Sequence, residues 1–210
     1  EVASKLKLAD TAQILVLDAD GQQVPYQITY DEKIIFQVSV KGNGTAAYTI
    51  QSGTPDVFNV KACGKYYPER LDDVAWENDL VAFRTYGPAL QAKGEQAFGY
   101  DVWTKRDTTD PVVEARYAME LNPETLAKID SLTKTNPEAA KELRAATSYH
   151  VDHGNGLDCY KVGPTLGGGT AALMVGDTII YPYCYRTQEI LDNGPLRFTV
   201  KLVYNPLTVK

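Results

Sequence analysis

The chain's two histidines, His150 and His153, stand three residues apart in a segment that also carries Tyr149, Asp152, Asp158, Cys159, Tyr160 and Lys161. Histidine is the side chain whose unperturbed pKa puts its change of charge between pH 5 and 8. The segment therefore gathers almost every kind of group that moves a proton near neutrality. General acid–base catalysis needs a His, Tyr or Lys within hydrogen-bond reach of a substrate, and all three are present. A divalent metal would suit His150 and His153 on one helical turn, with Asp152 or Asp158 completing three ligands. In an extended chain, residues three apart point to opposite faces, and Gly154 and Gly156 argue for a loop. Two structural histidines in a polar loop are the plain alternative. Acid–base chemistry without a cofactor is the expectation that best uses the whole segment. The glycine-rich run at 163–170 follows at once and would let backbone approach a ligand closely.

A second constellation lies at 68–88. Alternation from Leu80 to Tyr86 reads as a strand, with Leu80, Ala82 and Arg84 on one face and Val81, Phe83 and Thr85 on the other. Arg84 thus follows a loop rich in Trp76, Asn78 and Asp79. A fixed guanidinium binds a carboxylate through two parallel hydrogen bonds, and Trp76 offers a flat apolar face to a sugar ring. The alternatives are an Arg84 salt bridge to Glu77 or Asp79, and a Trp76 that belongs to the core. Further on, Tyr181, Tyr183 and Tyr185 alternate along one strand face, which suits sheet packing and also a sugar cleft. Arg197, after Gly194 and Pro195, is a further carboxylate partner. No GxSxG elbow or Walker loop occurs, and no histidine outside the 149–161 segment is available for a Ser or Cys triad.

These groups must be positioned by a fold that the punctuation of the chain makes legible. Runs at 12–18, 24–29, 33–40 and 46–51 read as short strands separated by turns such as Asp20-Gly21 and Gly42-Asn43-Gly44. Strands resume at 171–175, 178–186 and 196–204. The interruption is 122–148, where Asn122-Pro123-Glu124 and Asn136-Pro137-Glu138 each supply an N-cap, a first-turn proline and an acid. Leu126, Ile129 and Leu132 give one helical face, and Ala139, Ala140, Leu143 and Ala146 the next. The pattern predicts a single antiparallel β-sandwich domain over 1–210 with a two-helix insertion at 122–148 that delivers the chain into the histidine segment.

Composition narrows the partners. The chain has 210 residues, is 44% hydrophobic and 23% charged, and carries a net charge of −6 without a basic block. Nucleic acid and anionic membranes are poor partners for such a surface, and no apolar run approaches the roughly 18 residues of a membrane span. The fourteen tyrosines suit sheet faces and carbohydrate sites alike. The chain starts at Glu1 and no signal peptide remains, which suits a mature exported protein and a trimmed chain equally, and its last strand ends without a closing element, as in a truncated chain. Cys63, Cys159 and Cys184 match no zinc or CxxC spacing. A Cys159–Cys184 bridge would fit an oxidising compartment, and three small buried hydrophobes is the simpler reading.

Three blocks, PERLDDVAWENDLVAFRTYGPAL (68–90), YHVDHGNGLDCYKVGPTLGGGTAAL (149–173) and YRTQEILDNGPLRFTVKLVY (185–204), resemble a family labelled a domain of unknown function. Its members occur in exported proteins of polysaccharide-degrading gut and marine bacteria, often beside polysaccharide lyases, and are typically longer than this chain. The resemblance implies a β-sandwich related to the supersandwich of sugar mutarotases and uronate lyases, in a periplasmic or cell-surface protein. At least one member looks like a dehydratase acting on ulvan oligosaccharides. It places weight on Trp76, Asn78, Asp79, Arg84, His150, His153, Asp158, Tyr160 and Lys161. The chemistry of elimination next to a uronate carboxylate then assigns the roles. Arg84 is expected to neutralise the enolate, His153 or Lys161 to act as base, Tyr160 as acid, and His150 to orient a partner. The expected function is a carbon–oxygen lyase on uronate-containing oligosaccharides. A sugar epimerase or mutarotase and a non-catalytic glycan-binding module are the rivals.

Overall fold

A computed structural model describes residues 13–106, 110–180 and 183–207. Two small antiparallel ribbons open the chain: β1 (Ile14–Leu17) pairs with β4 (Thr49–Ser52), and β2 (Tyr26–Ile28) with β3 (Ile34–Phe36). The strand expected at 33–40 stops at Phe36, and Val38 and Val40 are exposed. Beyond the Tyr26–Phe36 pair the next partner would be Pro25, which has no N–H to donate to the ladder.

The centre is an antiparallel meander of β5 (Ala62–Tyr67), β6 (Asp73–Asn78), β7 (Val81–Thr85) and β8 (Asp101–Thr104). Its register decides which side chains meet. Cys63 lies opposite Glu77, Ala75 opposite Arg84, and Arg84 opposite Asp101, so these residues share one face with Tyr67, Asp73, Ala82 and Trp103. Trp76 lies opposite Gly64 and Phe83 and belongs to the other face. There its ring stacks on Phe83 and on Phe198, at 5.7 and 6.5 Å between centroids, and meets Tyr100 edge-on. Phe198 starts β12 (Phe198–Tyr204), which pairs with β11 (Tyr185–Asn193) in a long ribbon. The Phe198 ring fits against Gly64, where a Cβ would approach it to 2.6 Å. The short hairpin of β9 (Leu173–Val175) and β10 (Thr178–Ile180) precedes this ribbon in the chain. The result is a sandwich-like, antiparallel all-β fold carrying short helices.

The helices are α1 (Pro88–Ala92), α2 (Val113–Glu120), α3 (Pro123–Thr135) and α4 (Pro137–Thr147). The last two fall where the sequence puts them. Asn122 Oδ1 accepts from Thr125 N–H and Asn136 Oδ1 from Ala139 N–H, as N-caps should. The third, α2, has no local cap and escapes the sequence reading. Its first N–H groups, from Val112 and Val113, are instead accepted by the Glu77 carboxylate of β6 at 2.9–3.0 Å. That contact seats α2 on the Arg84 face. There Val113 and Tyr117 pack with Tyr67, Ala75, Ala82, Trp103 and Tyr149 in the hydrophobic core. Glu77 also pairs with Lys105 at 2.7 Å, so it is not the partner of Arg84. The three cysteines are unbridged; Cys63 and Cys184 are half-buried and Cys159 is exposed, so none is a buried core hydrophobe.

Candidate functional site

Arg84 is 3% exposed and is the hub of the buried face. Its Nη2 donates to Asp101 Oδ2, to Asp158 Oδ2 at 3.1 Å and to the Tyr86 hydroxyl at 3.3 Å; its Nη1 donates to the Tyr149 hydroxyl at 3.2 Å and lies 3.8 Å from Asp73. The guanidinium also sits over the Tyr86, Trp103 and Tyr149 rings, 5.0 to 5.5 Å from their centroids. Trp103 Nε1–H donates to Asp101, and the Tyr117 hydroxyl to Asp73. A buried cation needs such partners to offset its lost hydration.

The histidine segment reaches this hub by pairing with the edge of the meander. Thr104 N–H donates to Leu157 carbonyl, Trp103 and Asp158 form a β-bridge, and Arg116 of α2 ties Thr104 and Asn155 carbonyls together. The glycine-rich run continues along the same edge: Gly168 N–H donates to Tyr100 carbonyl, and Tyr100 N–H to Gly169 carbonyl. The glycines there serve contact of backbone with backbone. Gly156 is a tight joint. Its φ is +93°, and a Cβ there would lie 2.3 Å from the Thr104 carbonyl oxygen. Gly156→Ala is therefore expected to cost about 1–3 kcal/mol and to loosen His150 and Asp158, which chemical denaturation of the variant would report.

A cavity of about 550 Å³ opens beside the hub, lined among others by Arg70, Arg84, Tyr149, His150, Asp158, Tyr160 and Lys161. His150 Nδ1 faces two acceptors, the Asp158 carbonyl at 3.3 Å and its carboxylate at 3.4 Å. Two acceptors at Nδ1 favour the tautomer with the proton there, in which Nε2 of the neutral ring has its lone pair. The Tyr149 hydroxyl accepts from Arg70 at 2.8 Å as well as from Arg84. Both of its lone pairs face cationic N–H groups, so the proton it carries is the one it can offer to a ligand. The Tyr160 hydroxyl, by contrast, donates to Tyr100 carbonyl at 3.1 Å. Burial pushes the Tyr160 phenol up, as do Asp101 and Asp158 nearby.

Three carboxylates face one buried guanidinium, and the excess negative charge raises proton affinity. Burial pushes Asp73 up to about 6 against the opposing pull of Arg84 and Arg70. Burial and the Asp101 charge push Asp158 up to about 6. A carboxyl whose folded pKa lies above its unfolded value near 4 contributes stability that is fully present below pH 4 and is lost as pH rises through about 6. Asp73→Asn, which mimics the protonated form, should therefore gain about 3 kcal/mol relative to the parent between pH 4 and pH 7. Denaturant titrations at the two pH values measure that difference; an unchanged gap would contradict the assignment.

Of the residues singled out by sequence, the structure brings Arg84, His150, Asp158, Tyr160 and Lys161 to this cavity. It places the others elsewhere. His153 is exposed, with Nε2 2.9 Å from Ser148 carbonyl, so the two histidines do not converge as metal ligands. Among the described residues no group of three His, Cys, Asp or Glu is arranged to hold a metal. Trp76 lies on the opposite sheet face, in the stack described above. Asn78 folds the β6–β7 turn by accepting from Leu80 and Val81 N–H, and Asp79 belongs to that turn. Arg197 pairs with Asp192 at 2.9 Å. Tyr185 is buried and donates to Asp72 carbonyl, whereas Tyr183 is exposed with its ring edge-on to Phe98. Tyr181 lies outside the described residues. Arg70, Tyr86, Tyr149 and Asp101 were not singled out. Asp101 was recoverable only from the β7–β8 register, Arg70 sat unremarked inside a quoted block, and Tyr149 was named only as part of the histidine segment.

With this geometry in place, comparison with known proteins assigns the chain: it belongs to the family described as "Domain of unknown function (DUF4861)", whose model matches residues 1–210. It is 28% identical over 214 residues to a protein of Formosa agariphila described as "Uncharacterized protein P7", covering 97% of this chain and 46% of that protein. The chain thus spans about half the length of the curated relative it matches. No solved structure matches it. Among the described residues, no helix is long and apolar enough to cross a membrane.

Proposed function

We propose that the Arg84 cavity is the active site of an exported carbon–oxygen lyase, a dehydratase or an eliminating lyase, acting on uronate-containing oligosaccharides. The observation that carries this reading is a base and an acid on one wall of one cavity: His150, whose Nε2 has no hydrogen-bond partner among the described residues, and Tyr149, whose hydroxyl accepts there from Arg70 and Arg84 and is left its proton to give. Their rings lie 4.7 Å apart. The resemblance to a family with a member that looks like an ulvan-oligosaccharide dehydratase supports the same chemistry.

Elimination proceeds as follows. His150 Nε2 takes the proton from the carbon beside the substrate carboxylate, and the electron pair passes into that carboxylate as an enolate. The pair returns to form the carbon–carbon double bond and expels the β-oxygen. That oxygen takes the Tyr149 proton and leaves as water in a dehydratase, or as the next sugar's hydroxyl in an eliminating lyase. Lys161 lines the cavity and supplies a cation for the developing charge. Arg84 does not approach the substrate in this scheme; it holds Asp158 and Tyr149 in place. Tyr183 rests on Phe98, whose neighbour Ala97 lines the cavity, and presents an aromatic face to an adjoining sugar.

Proton NMR of uronate oligosaccharides incubated with the protein in deuterated water tests this reading. A lyase consumes the proton beside the carboxylate and produces an olefinic signal. Deuterium at that carbon with inversion and no olefin would identify an epimerase instead, and binding with no change in the spectrum would identify a glycan-binding module.

A further inference from the structure

The two arginines of the cavity are not equivalent. Arg84 is matched by Asp73, Asp101 and Asp158. Arg70, half-buried at the end of the turn Pro68–Arg70, has no salt bridge among the described residues. Among the described residues its side chain donates from Nη2 to the Tyr149 hydroxyl, and its Nε is buried with no acceptor. Asp73 acts on this guanidinium only from a distance and is shared with Arg84, so Arg70 lacks a direct ion-pair partner, and beside an open cavity it has one to find. Lys161 lines the same cavity and likewise has no carboxylate partner among the described residues. Lysine tolerates such exposure at a surface; a half-buried arginine does not.

We infer that Arg70 is the carboxylate subsite of this cavity, taking the acidic group of the substrate through the guanidinium fork, while Arg84 is a positioning residue. The inference rests on the reading of the cavity as a site for acidic sugars. Because Arg70 also touches the Tyr149 hydroxyl, a carboxylate held there lies next to the proton donor. Recognition of the acid and delivery of the proton are thereby joined at one side chain.

The test is calorimetric titration with a short oligoglucuronan and its carboxyl-reduced counterpart, which differ only in the acidic groups. The native protein should prefer the oligoglucuronan by roughly tenfold to a hundredfold, the worth of a hydrogen bond to a charged group. Arg70→Met should lose that preference while its affinity for the reduced oligosaccharide stays the same. Arg70→Lys, which keeps the charge and loses the fork, should retain part of it and serves if the methionine variant does not fold. A full preference persisting in either folded variant would overturn the subsite. Failure of the two readings is distinguishable. Turnover of uronate with KM unchanged in Arg70→Met would sink the subsite and sustain the lyase. Selective, Arg70-dependent binding without any elimination product would do the reverse.

Discussion

Arg84→Met should lower stability at pH 7 by about 3–5 kcal/mol, the range found when one partner is taken from a buried ion pair. Asp73, Asp101 and Asp158 would then face one another, each at most 2% exposed, with no cation among them. The loss should depend on pH in a defined direction. Removing the guanidinium raises the proton affinity of all three carboxyls, so the deficit is largest at neutral pH and shrinks as protons are taken up toward pH 4. Adding Asp101→Asn to Arg84→Met should restore part of the stability, because it removes the charge that lies directly opposite position 84 in the β7–β8 register. Arg84→Lys should recover less than the charge alone would suggest, since one ammonium cannot serve Asp101, Asp158, Tyr86 and Tyr149 together. Guanidinium denaturation of the single and double variants at two pH values measures all of this. A loss below about 1 kcal/mol, typical of a surface pair, would show that Arg84 is not the hub.

His150→Ala should reduce turnover by about 10²- to 10⁴-fold, the usual contribution of a positioned acid or base, with the melting temperature little changed because half of that side chain is exposed. His153→Ala should leave turnover essentially intact. The sequence alone pointed to His153 or Lys161 as the base, and the geometry separates the two histidines. His150 is held by Asp158, itself anchored to Arg84, whereas His153 meets the Ser148 carbonyl in an exposed loop. Asp158→Asn should act through His150. It removes the carboxylate partner of Nδ1 while leaving the Asp158 carbonyl contact, so turnover should fall and the pH profile should change in the region of about 6 where the Asp158 carboxyl ionises. Steady-state rates across pH for the three variants decide the matter, and equal losses in both histidine variants would contradict the assignment.

What the chain disclosed in advance was set by how local the determinants are. The two insertion helices were legible because their caps, Asn122 and Asn136, lie within the helices' own first turns. The helix Val113–Glu120 was not, because its cap is Glu77, 35 residues upstream on a strand. The Arg84 strand could be read from alternation, and so could the parity of its neighbours. What alternation could not give was the pairing of β6 with β7, which puts Trp76 across from Phe83 and on the face opposite Arg84. The carboxylates that hold Arg84 come from 11, 17 and 74 residues away, and no spacing rule connects them. The antiparallel fold class, by contrast, follows from turns and periodicity repeated along the chain, and it stands. The glycine-rich run was conspicuous in composition, yet its use became visible only once the strand edge it lies against was known.

The most direct test of the account is mass spectrometry on a panel of uronate and unsaturated uronate oligosaccharides incubated with the native protein, His150→Ala and His153→Ala. The account predicts loss of one water, or scission into a product with an unsaturated end, for the native protein and His153→Ala, and unchanged masses for His150→Ala. Unchanged masses for the native protein across the whole panel, or equal product from His150→Ala, would contradict it.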